Sequence, residues 1–229
     1  MEQLNPARPR LTIKRAEVPS GVDRTRRIIV AGLLMTTAVV LLQAISQLID
    51  FAVLDLRIRG LNSDTHHSLF GVASLLAQMA VGGVSVWRGY REQRRWRAWS
   101  GLGLLVGGLV IVRGLTTFNA KTLAIPLACV FGLVCWLTWR DRGAARAVVW
   151  AGLVLMGASL MLHQIGLAAD ASGGSEYSWA YQITGMIKHG AELAGWMLLA
   201  TGIVGCVQRP ARKPIPDGSL LLEMESVAR

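Results

Sequence analysis

Long apolar stretches broken by short clusters of charge run from Ile28 to Val207, and they leave few folds open. A helix of ~20 apolar residues crosses a ~30 Å hydrocarbon layer. Six such spans can be read: Ile28–Ile49, Ser68–Trp87, Ala98–Phe118, Thr122–Trp139, Ala147–Ala169 and Gln182–Val207. The third carries Arg113 near its far end. The sixth carries Lys188, His189 and Glu192 in its first half, and its wholly apolar remainder, Leu193–Val207, is too short to span alone. With 52% hydrophobic and 17% charged residues, the chain is too apolar for one or two soluble domains. The sequence therefore predicts an all-α polytopic membrane protein. Its six transmembrane helices form a bundle over residues 28–207, between a basic tail (1–27) and a C-terminal tail (208–229).

The direction of threading follows from the basic residues, since cytoplasmic loops are enriched in Lys and Arg. With the N-terminus inside, 19 of the 24 fall on the cytoplasmic side, in the two tails, the Arg88–Arg97 loop and the Arg140–Arg146 loop. Only Arg57, Arg59, Arg113, Lys121 and Lys188 fall outside. Both termini are accordingly expected in the cytoplasm, and the protein in the plasma membrane. The net charge of +10 is explained by topology, with no need of a nucleic-acid partner. The expected contacts are the lipid bilayer and, for the tails, anionic headgroups; a protein partner or a homo-oligomer is left open. The first apolar run, behind its polar tail, reads as an uncleaved span. Cys129, Cys135 and Cys206 lie inside apolar runs with no Cys-x-x-Cys spacing, which supports neither a disulfide framework nor a zinc ribbon.

A weak internal repeat joins Trp87-Arg88 and Trp99-Ser-Gly-Leu-Gly-Leu to Trp139-Arg140 and Trp150-Ala-Gly-Leu-Val-Leu. Gly103-x-x-x-Gly107 and Ala191-x-x-x-Gly195 have the small-residue spacing that lets helices approach closely, within one chain or between chains.

The polar residues of the spans fall into stripes at helical spacing. Gln43, Ser46, Gln47 and Asp50 share one face, as do His67, Gly71, Ser74 and Gln78. Arg113 ends the third span with Thr116 and Thr117. Ser159, His163 and Asp170 mark the fifth span, and His189, Glu192 and Trp196 the sixth. These stripes gather toward the outer side, which predicts an outward-facing pocket lined by Gln43, Gln47, Asp50, His67, Gln78, Arg113 and Lys188. The inner halves are nearly all Leu, Val, Gly and Ala and show no matching polar site. Interhelical hydrogen bonding is the competing explanation and accounts well for the Gln, Ser and Thr residues. It accounts less well for a carboxylate at Glu192. Lys188, one turn before Glu192, is the nearest ion-pair partner in sequence, and Arg113 is the next.

Three kinds of chemistry suit these residues. Glu192, His189 and His163 are the candidate catalytic groups. His189, Glu192, His163 and His67, with Asp64 nearby, offer the nitrogen and oxygen donors of a divalent metal site. His163 and His189 could alternatively ligate haem from facing helices. Ser63 and His67 have one spacing of the seven-helix superfamily of alkaline ceramidases and adiponectin receptors. The chain lacks that superfamily's late His-x-x-x-His and is one helix short, so it is not assigned there. No Walker A motif and no Gly-x-Ser-x-Gly elbow is present. The expected function is that of an integral membrane protein with an outward-facing His/Glu/Gln pocket. It would act as a metal-dependent membrane enzyme, as a small transporter or proton-coupled carrier, or as a non-catalytic partner subunit.

Overall fold

Runs of Leu, Ala and Met favour helix, and an apolar surround makes internal backbone bonding obligatory even through β-branched stretches such as Ile28–Val30 and Val110–Val112. The computed structural model describes residues 21–54, 58, 61, 68–115, 120–171 and 178–206. Among these there is no strand. Six helices follow one another: α1 (Gly21–Ala52), α2 (Leu69–Arg91), α3 (Trp96–Leu115), α4 (Ala120–Thr138), α5 (Ala144–Ala171) and α6 (Trp179–Gly205). A single 3-10 turn, Gln93–Arg95, joins α2 to α3. Each helix overlies one of the apolar stretches. α1 starts seven residues ahead of the apolar boundary, at Gly21, with Asp23 in its first turn where the helix dipole favours an acid.

The starts of α2 and α6 are set by serine caps. Ser68 Oγ accepts from the Gly71 N–H at 3.0 Å, and Ser178 Oγ accepts from the Tyr181 N–H. Those bonds satisfy backbone donors that a helix start leaves open. Hydroxyls inside the helices are satisfied by the preceding turn. Thr36 donates to the Gly32 carbonyl, Ser85 to Val81, Thr138 to Val134 and Thr201 to Met197. Such side chains can sit in an apolar layer without a partner on another helix.

α1, α2 and α5 are long and apolar enough to cross a membrane, and α4 carries a shorter apolar stretch, Ile125–Thr138. Large apolar side chains cover the outer surface, among them Leu34, Met35, Leu76, Leu104, Val154 and Met161. Such a surface suits hydrocarbon better than water.

α6 is the hub, packed against α1, α2 and α5, while α3 lies on α2 and α4 on α3. α5 and α6 run antiparallel at close range. A Cβ built on Gly152 would lie 2.8 Å from the Gly195 carbonyl oxygen, so no larger residue fits without displacement. The core is formed by Trp99, Leu102, Val106, Val130, Val134, Leu137, Val149, Leu193, Leu199 and Ile203. The two halves of the sequence repeat pack differently. α2 and α3 share an extensive close contact, whereas α4 touches α5 only lightly.

Candidate polar centre of the bundle

α6 runs parallel to α2 and antiparallel to α1 and α5, and this register decides which polar residues meet. Glu192 comes level with Ser74 of α2, and Ser74 Oγ donates to Glu192 Oε1 at 3.1 Å. α3 runs back along α2 through the Gly82–Gly103 contact. That brings Arg113 to the same depth, where its guanidinium donates to Glu192 Oε1 in an ion pair. Gln78, one turn further along α2, donates from Nε2 to Ser74 Oγ at 3.4 Å. Three helices therefore converge on one carboxylate.

His189 lies one turn before Glu192 on α6. It is buried, and its ring packs on Phe70 of α2 with centroids 4.4 Å apart. Its face of α6 is about 120° around the helix from Gly195 and Gly202, which meet α5. His163 is half-buried on α5, and the antiparallel register sets it level with residues 184–188 of α6. Lys188 is half-buried on the turn before Glu192.

A second polar chain links α1 to α6. Gln43 Nε2 donates to Gln47 Oε1 at 3.2 Å, and Gln47 Nε2 donates to Gln182 Oε1 at 3.1 Å. All three are buried. Gln43 stands level with Gly190, where a Cβ would come 3.7 Å from Gln43 Oε1. Asp50 is fully buried at the end of α1 and accepts the Ile58 N–H at 3.1 Å through Oδ1. This bond ties the segment after α1 back onto the helix. His67 and Asp64 lie outside the described residues, as do Thr116 and Thr117. Among the described residues, no three His, Cys, Asp or Glu side chains group as metal ligands would.

The opposite end of the bundle holds a charge cluster that the sequence reading missed. Arg88 near the end of α2 is only 4% exposed. Its guanidinium donates to Asp141 Oδ2 at 2.8 Å and to Glu92 at 3.4 Å, and it stacks 4.2 Å from the Trp99 ring centre. Trp99 Nε1 donates to the same Glu92 carboxylate at 3.1 Å. Arg95 donates to the Leu137 carbonyl at 3.1 Å. The cluster thus joins α2, α3 and the α4–α5 connection. Two signals pointed to it: Arg88 and Glu92 stand four residues apart, and Asp141 is the sole acid in an arginine-rich loop.

Comparison with protein-family models, with curated proteins and with solved structures finds no match to this chain.

Proposed function

We propose that this chain is a six-span plasma-membrane protein with both termini in the cytoplasm, and that it acts as a small carrier. One observation supports this reading above the others: interhelical charge pairs occur at both ends of the same bundle. Arg113–Glu192 joins α3 to α6 at one end, and Arg88–Asp141 joins α2 to the α4–α5 connection at the other. An alternating-access device needs two closures, and paired charges can close and release as solute or protons arrive. The inner halves of the spans are nearly all apolar, and the buried Arg88 supports the reading as a polar group at that end.

The same geometry weighs against the metal-enzyme reading. A guanidinium bound to Glu192 repels a divalent cation and occupies an oxygen the metal would need. A proton or an anionic solute is better matched. Protonation of Glu192 would free Arg113, and an anion would compete with Glu192 for it.

Accessibility of a cysteine at Gln78 tests the reading, in a chain whose three native cysteines are replaced by serine. Gln78 is buried between the two pairs along α2. In a carrier, Glu192→Gln raises labelling from outside and Asp141→Asn raises it from the cytoplasm. Equal, low labelling in all backgrounds, with only a loss of thermal stability, would overturn the proposal and leave both pairs as structural clamps.

A further inference from the structure

α4 and α5 barely touch, and at the arginine-rich end an open cleft of about 470 Å³ lies between them. Trp139, Gly143, Arg146, Ala147 and Trp150 line it. Arg146 stands over both indoles, 5.5 Å from the Trp139 ring centre and 5.8 Å from that of Trp150. Among the described residues its one hydrogen bond is a long one, 3.4 Å, to the Asp141 backbone carbonyl. The nearby carboxylate of Asp141 is taken by Arg88. Arg146 is therefore a half-buried cation with no counter-anion among the described residues. Beside it, the Trp150 Nε1 donor is shielded from solvent and has no acceptor among the described residues. A buried donor left open is costly, and indoles at a membrane surface usually find a polar partner.

We infer that this cleft is a binding site for the headgroup of an anionic phospholipid. A phosphodiester supplies what the cleft lacks: a negative charge for Arg146 and an acceptor oxygen for Trp150. Backbone N–H groups in the first turn of α5 add to the same field. A lipid fits better than a free phosphate because the apolar surface continues from the cleft. Trp139 is 63% exposed and Val154, one turn beyond Trp150 on α5, is 67% exposed, an apolar surface on which acyl chains would lie. The two indoles then sit at the headgroup level, where such rings are enriched. The site is at the opposite end of the bundle from Arg113 and Glu192 and does not depend on the carrier reading.

Native mass spectrometry of the full-length chain tests the site, with equimolar phosphatidylglycerol and phosphatidylcholine in the detergent. The wild-type chain is expected to retain phosphatidylglycerol about tenfold over phosphatidylcholine, the size of one charge-assisted contact. Arg146→Gln brings the ratio near parity, and Trp150→Phe, which removes the N–H and keeps an aromatic ring, lowers it severalfold. Arg94→Gln, at an exposed arginine of the α2–α3 connection, leaves it unchanged. Thermal unfolding reports whether each variant stays folded; if Arg146→Gln does not, Trp150→Phe decides. Equal retention of the two lipids by the wild type, or an unchanged ratio in the deciding variant, would overturn the site. A loss in Arg94→Gln as large as in Arg146→Gln would reduce it to diffuse charge. Displacement of the lipid by millimolar inorganic phosphate would assign the cleft to the free anion and overturn the lipid.

Discussion

Glu192 shows how far local spacing carries at the level of single residues, and where it stops. Its presence in an apolar span marked it as exceptional in the sequence, and the i−4 rule offered Lys188 as the first partner. The structure pairs it with Arg113, a residue 79 positions away. That partner depends on the register of α3 on α2 and of α2 on α6, which no local rule contains. Arg88 was hidden for a different reason. In sequence it is one of several basic loop residues, and burial is what separates it from its exposed neighbours Arg91 and Arg94. The pairing yields a definite expectation. Glu192→Gln leaves a cation stranded in the bundle and lowers stability by about 1–3 kcal/mol. That is less than the 3–5 kcal/mol of a fully buried pair, because the Arg113 and Glu192 side chains keep 32% and 20% exposure. In thermal denaturation this is about 2–4 °C per kcal/mol for a chain of this size. Adding Arg113→Gln should recover most of the loss, whereas adding Lys188→Met should recover none. Recovery with Lys188→Met would restore the local pairing and refute the assignment.

Helix existence was readable from hydropathy alone at the level of elements, since all six helices overlie the apolar stretches. Their neighbours were not. Gly103 and Gly195 were picked out by four-residue small spacing, and both do lie at close helix contacts, within one chain. Gly107, the partner position in the first motif, faces open space, with nothing within 4 Å of a Cβ built there. The α5–α6 contact instead uses a seven-residue spacing, with Gly195 and Gly202 set against Gly152 and Ala145. A seven-residue repeat of small residues keeps one seam in register over two turns. Alanine substitution separates the two kinds of glycine. Gly152→Ala and Gly195→Ala should each cost about 1–3 kcal/mol through overpacking. Gly107→Ala and Gly101→Ala have room for the methyl group and should be neutral, or stabilising by up to about 1 kcal/mol from helix propensity. Melting temperatures of the four variants in one detergent give the comparison, and equal losses at all four positions would contradict the assigned seam.

Depth in the membrane is a property of the whole molecule, and packing extends what composition supports. By length and apolarity α1, α2 and α5 qualify as spans. α6 carries Lys188, His189 and Glu192, yet it lies among those three helices and runs antiparallel to α1 and α5. Gly32 faces Thr201 near one end of the α1–α6 contact, and Gln47 meets Gln182 near the other. The polar groups of this enclosed helix are met by Ser74, Arg113 and Gln47, which is what the proposed crossing at the depth of its neighbours requires. α3 follows the same logic through its contact with α2, and its charge at Arg113 is balanced by Glu192. On the proposed six-span reading, with α4 joining α3 to α5, six crossings would return the chain to the side where it began. In that threading 19 of the 24 basic residues share one side, which the positive-inside rule would make the cytoplasm. Reporter fusions after Arg95, Arg142 and Arg212 should therefore read cytoplasmic, and fusions at Asn62 and Gly174 external. A three-span protein would break this alternation within the α2–α6 region. External readings at Arg95, Arg142 and Arg212 together would reverse the orientation, and an external reading at Arg95 alone would overturn the six-span alternation.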